Sequence, residues 1–78
     1  MSDTENKMKQ IVSEVIGVNI SQLSDDIGPG DLPQWDSLGH QDILSAIETS
    51  FGFVLSIDEV LDIETMEDLV RTIQQKEA

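Results

Sequence analysis

The sequence predicts an all-α protein: a small four-helix bundle, three main helices plus one short helix, with a long loop between helices 1 and 2. Three observations carry that prediction. Apolar residues recur at helical spacing in separate stretches. The span from Val18 to Trp35 is rich in Pro, Gly, Asp and Ser and breaks regular structure. The apolar run FGFVL is too isolated to find a partner strand. With 78 residues, the chain has room for one domain, spanning 1–78.

In the first helix Met8, Ile11, Val12, Val15 and Ile16 fall on one stripe. Ser2 followed by Glu5 fits a capping box, and Gly17 is a stop. Within the long loop Ile20, Leu23, Ile27, Leu32 and Trp35 are the residues expected to pin it to the core. A loop of this length is uncommon in a compact domain and is often functional. The second helix is expected from Ser37 to Phe51, with Asp36 as its cap, Leu44, Ile47 and Phe51 on its inner stripe, and Gly52 as its end. Ser56 is suited to cap a brief helix through Asp58, Glu59, Val60 and Leu61. Thr65 is suited to cap a last helix whose inner face is Met66, Leu69, Val70 and Ile73. Fraying is expected over Met1 to Glu5 and Gln74 to Ala78.

Charge narrows the function. Against 16 acidic residues stand 4 basic ones, for a formal net charge of -12. The basic residues are Lys7, Lys9, Arg71 and Lys76, so none lies between positions 10 and 70. Nucleic acid and anionic membrane are excluded as expected partners, whereas basic protein surfaces are favoured. A surface of one sign also repels its own copies, so a monomer is expected. The absence of Cys rules out a disulfide framework and a thiolate nucleophile. No run approaches the roughly 20 apolar residues that span a bilayer, and the polar start lacks the apolar core of a signal peptide. A soluble, cytoplasmic protein is expected.

The parts of an enzyme are missing from the pattern. Ser37 and His40 are three apart and can be neighbours on a helix, but no oxyanion hole accompanies them. His40 falls between Leu44 and Ile47 on the helical wheel, which favours a half-buried packing role. Neither Asp25 to Asp36 nor Asp58 to Glu67 has the ligand spacing of a calcium loop, and no Gly-rich phosphate loop is present. No catalytic residue and no metal site is assigned.

What remains is Asp36-Ser37-Leu38 at the junction of the long loop and the second helix. A hydroxyl there is exposed, and a phosphodiester built on it would sit beside unpaired N–H groups at the positive end of the helix dipole. Asp36 can cap the helix beside it. The segment WDSLGHQDILSAIETSFGF, and the chain around it, resembles the acyl carrier protein family. That resemblance implies a four-helix bundle in which Ser37 receives 4'-phosphopantetheine from coenzyme A, with Asp36 and Leu38 as its motif neighbours. It also implies a carrier without catalytic activity, which holds acyl groups as thioesters and shuttles them between biosynthetic enzymes. The implied partners are a phosphopantetheinyl transferase, an acyl-loading ligase or transferase, and synthase enzymes with basic docking patches. Asp36, Asp42 and Glu48, with Leu38 as an apolar contact, are the residues expected to meet those patches.

Two features separate the chain from carriers of fatty-acid synthesis. Gly39-His40-Gln41 follows the motif where those proteins commonly place an acid, and Thr49 and Ser50 stand where they carry further acids. A dedicated carrier of a specialised pathway, polyketide or related, is therefore favoured. A peptidyl or aminoacyl carrier and an acidic interaction module without a prosthetic group stay open. Leu44, Ile47, Val60, Leu61 and Ile63 are candidates to border a space for an acyl chain, although a domain this small also needs them for its core.

Overall fold

The computed structural model describes residues 3–77. Helices α1 (Asp3–Ile16), α2 (Ser37–Phe51), α3 (Ile57–Asp62) and α4 (Met66–Glu77) follow one another, and a single turn of 3-10 helix covers Ile20–Gln22. Among the described residues no strand occurs, and an isolated bridge joins Pro29 and Leu32. The protein is the all-α bundle that the periodicities predict.

Apolar stripes decide the packing. Met8 and Val12 of α1, Ile43 and Ile47 of α2, and Met66, Leu69, Val70 and Ile73 of α4 are buried. They meet because α1 packs against both α2 and α4. The centre of the α2 stripe is Ile43 and Ile47, while Leu44 and Phe51 lie at its edge, partly buried. Helix α3 has no fully buried residue. A capping box between Ser56 and Glu59 closes its start, and it meets the bundle through Val60, partly buried against the core, and the Lys76–Glu59 ion pair at 2.9 Å.

Helix α1 stops where glycine allows a left-handed residue. Gly17 has φ 71° and donates to Ser13 O at 2.9 Å, and Val18 N donates to the same carbonyl at 3.2 Å. Helix α2 ends in the same way at Gly52, with φ 77°. Thr65 caps α4, its Oγ1 accepting from Asp68 N at 3.2 Å. The hydrogen bonds that make these caps also act on carboxylates. A backbone N–H, from Ser56 for Glu59 and from Glu64 for Asp68, is the largest cause that holds each below its ordinary range. That stabilisation is present above the usual carboxylate range and is lost as the pH falls through the depressed values.

The 18–35 segment is more ordered than a plain loop. Its 3-10 turn has a capping box of its own, with Gln22 Oε1 accepting from Asn19 N at 3.1 Å. Three residues carry no periodicity, so the sequence does not announce this turn. Leu23 and Trp35 are buried and Ile27 and Leu32 partly so, as expected. Ile20 is a correction: it is 48% exposed, because the turn directs it outward. The loop docks on the start of α4, whose first amides have no partner within the helix. Ile27 O accepts from Met66 N at 2.7 Å, and Asp25 O from Glu67 N at 3.0 Å.

The Ser2–Glu5 capping box involves a residue outside those described, as do Met1 and Ala78 of the segments expected to fray. Over the described part these segments are helical. Helix α1 is formed from Asp3 and α4 to Glu77, and Thr4 Oγ1 donates to Glu77 Oε1 at 2.6 Å.

Gly28 marks the tightest approach of loop to bundle, since a Cβ there would lie 1.9 Å from Glu64 O. Gly28→Ala must displace backbone and is expected to cost about 2 kcal/mol or more. Gly17→Ala meets no atom within 4 Å and carries only the strain of its positive φ, about 1 kcal/mol. Urea denaturation of the two variants checks the order.

Candidate functional site

Ser37 is the first residue of α2 and is exposed. The cap is Asp36: its φ and ψ are extended, its Oδ1 accepts from Gly39 N at 2.8 Å, and its carbonyl accepts from His40 N at 2.8 Å. The Ser37 hydroxyl is therefore not consumed by capping. Gly39 has a role that the sequence reading missed. A Cβ there would lie 2.7 Å from Gln34 O and 3.2 Å from an Ile16 methyl, so glycine lets the first turn of α2 close against the loop and α1. Nothing in a lone glycine at a helix start signals that contact.

Trp35 comes immediately before the motif and is fully buried. Its backbone closes the loop, with Trp35 O accepting from Gly30 N at 2.8 Å and Trp35 N donating to Leu32 O at 3.0 Å. Its indole Nε1 donates to Nδ1 of His40 at 3.1 Å, with ring centroids 6.2 Å apart. His40 is half-buried, as its place on the wheel implied, and burial pushes its pKa below the usual histidine value. Its bond to Trp35 was not anticipated; a Trp and a His five apart across a helix start was the available signal.

Ser37 opens onto a groove of about 590 Å³ lined by the loop (Pro29, Gly30, Trp35), the start of α2 (Asp36, Ser37, His40, Gln41, Leu44) and Val60 of α3. A second depression of about 330 Å³ shares Gln41, Leu44 and Val60 and adds Ser45, Glu48 and Leu55. Of the five residues named as possible borders, Leu44 and Val60 line this space. Ile47 and Ile63 are buried in the core, and Leu61 is 71% exposed, turned away on the outside of α3.

Leu38 is 72% exposed, and Asp42, one turn further along α2, is exposed. Glu48 is partly buried, and its Oε2 accepts from Leu55 N at 2.8 Å, which fixes the chain after α2. The four cations are engaged elsewhere. Lys7 lies 4.5 Å over the Phe51 ring, Lys9 pairs with Asp25 at 3.6 Å, Arg71 pairs with Glu67 and Asp68, and Lys76 pairs with Glu59. Among the described residues no ion pair neutralises Asp36 or Asp42.

A phosphodiester-linked arm fits these residues. The hydroxyl is exposed, the first amides of α2 have no helical partner, the dipole favours an anion there, and the groove beside it offers both apolar and polar walls.

The fold is thus a small acidic helical bundle that presents an accessible serine at the head of its second long helix. The acyl carrier protein of Zymomonas mobilis subsp. mobilis (strain ATCC 31821 / ZM4 / CP4) is 33% identical over 78 residues, 100% of both chains. No family model matches the chain. The full-length similarity places it: the chain belongs to the acyl carrier protein family.

The Trp35–His40 bond requires a neutral imidazole, and with the histidine pKa lowered in the fold the unfolded chain takes up the proton first as pH falls. Its contribution is complete above the unfolded value, near 6.5, and is lost as pH falls through the folded value. The substitution His40→Asn keeps an oxygen acceptor at this place without a titrating group. The stability difference between wild type and His40→Asn is expected to be constant above that pH and to move against wild type below it, as measured by denaturation across pH.

Proposed function

We propose that Ser37 is the attachment point of 4'-phosphopantetheine and that the protein shuttles acyl groups among the enzymes of a specialised pathway. The observation that carries this reading is an exposed Ser37 hydroxyl, left free by the Asp36 cap and opening onto a groove, in a chain of the acyl carrier protein family. When attached, the arm supplies the thiol for thioester linkage that this Cys-free chain lacks. The chain's own residues present the hydroxyl, close the first turn through Asp36 and Gly39, and offer a groove wall to whatever the serine bears.

The partners are a phosphopantetheinyl transferase, an acyl-loading ligase or transferase, and downstream synthase enzymes. Asp36, Leu38, Asp42 and Glu48 form the docking side of α2, with Leu38 as its apolar contact. Cations being confined to α1 and α4, the carboxylates of this side act on a partner's basic patch without internal competition. Such steering speeds encounter without requiring a long-lived complex, which suits a shuttle. Support for a specialised pathway comes from Gly39-His40-Gln41 after the motif and from Thr49 and Ser50 further along α2.

Incubation with a promiscuous transferase, coenzyme A and magnesium is expected to add one phosphopantetheine mass to the wild type and none to Ser37→Ala. Because Asp36 makes the cap, Ser37→Ala should change stability by less than about 1 kcal/mol. No mass gain by a folded protein, with a control carrier loaded in parallel, would leave an acidic interaction module as the reading. Asp42→Lys is expected to slow loading by a partner enzyme more at low salt than at high salt; equal slowing at both would remove the steering role.

A further inference from the structure

The groove beside Ser37 contains a fixed hydrogen-bond donor that the carrier reading leaves unused. His40 lies one turn after Ser37 on α2, a spacing at which side chains are neighbours, about 5–6 Å apart at Cβ. Trp35 Nε1 donates to His40 Nδ1 at 3.1 Å, and an indole N–H has no acceptor function. The neutral imidazole therefore carries its proton on Nε2, across the ring from Trp35. His40 lines the same groove as Ser37. Asp36 is the charged group in that lining, with its carboxylate turned to Gly39 N. The loop and α3 contribute no ionisable side chain to it, and α1 meets this turn through Ile16.

We propose that His40 is a positioning residue that donates from Nε2 to an oxyanion of the phosphodiester built on Ser37, with Trp35 fixing the tautomer that makes this possible. The inference rests on the carrier reading and assigns a residue to hold the base of the arm. A hydrogen bond to a charged acceptor is stronger than one between neutral groups. No lysine or arginine lines this groove, and Gly39 N is taken by Asp36, so the donors near the anion are the amides of Ser37 and Leu38, the Gln41 side-chain amide and this imidazole. Attachment of the anion must then act back on the ring, favouring the imidazolium relative to the unmodified protein.

The test is an NMR titration of the imidazole nitrogens before and after phosphopantetheine transfer, with the phosphorus resonance of the modified protein followed over the same pH range. The unmodified protein is expected to show the Nε2–H tautomer. Modification should raise the proton affinity of His40 by about threefold, the effect of one charge at this separation in a water-like medium. The phosphodiester does not itself titrate near neutrality, so its phosphorus shift should follow the imidazole midpoint. In modified His40→Asn that response should vanish while the Trp35 indole proton keeps its shift, since the asparagine oxygen still accepts from it. An Nδ1–H tautomer, or equal imidazole midpoints with a flat phosphorus resonance in a protein of confirmed mass, overturns the inference and leaves the carrier reading standing. A protein that gains no mass while the control carrier does overturns the carrier reading, and this inference with it.

Discussion

Burial of the Trp35 indole is the constraint on which the arrangement at Ser37 depends. A fully buried Trp contributes one of the largest single packing terms available to a small domain, and its truncation to Ala typically costs about 3–5 kcal/mol. Its N–H must still find an acceptor once it leaves water. His40 Nδ1 provides it, so a residue of the loop and a residue of α2 are bonded across the turn that presents the serine. The backbone bonds of Trp35 to Gly30 and Leu32 make the same residue the closing point of the loop. Ser37 is thus held on a framework fastened at both sides.

The loop in turn depends on α4. A helix start leaves amides without partners, and here Ile27 and Asp25 supply their carbonyls to Met66 and Glu67. The approach is close enough that Gly28 has room for no Cβ. Helix α3, by contrast, has no fully buried residue and meets the bundle through Val60, partly buried against the core, and one ion pair. The groove beside Ser37 therefore has one firmly packed wall, α2, and one lightly held wall, α3. Elements with little buried apolar surface occupy the low end of local stability, so the wall formed by Val60 is the one able to yield.

Electrostatics divides the molecule in the same sense. Lysines and arginine lie on α1 and α4 and are occupied by Phe51, Asp25, Glu59, Glu67 and Asp68. What they leave is an acidic α2 side around Asp36 and Asp42, with Leu38 standing out 72% exposed among these charges. The sequence order of the charges foreshadowed this, since no cation occurs between positions 10 and 70. Glu48 belongs to the same helix but also bonds Leu55 N, so its carboxylate serves the fold as well as any partner.

Local chemistry was enough to determine the helices by sequence alone. Periodic apolar stripes, Asp36, Ser56 and Thr65 as caps, and Gly17 and Gly52 as stops act within a few residues of one another, and the observed ends agree with them. The exposed serine at the head of α2 was legible for the same reason. Long-range contacts were not. That Ile20 faces water while Leu23 is buried follows from a three-residue turn without periodicity, and that Leu61 lies outside the groove follows from how α3 is rotated on its caps. The Gly39 contact with Gln34 and the bond from Trp35 to His40 depend on how the loop returns to α2. Only the tertiary structure decides these, because each is a meeting of groups whose separation in space is set by the packing of α1, α4 and the loop, and not by their spacing along the chain.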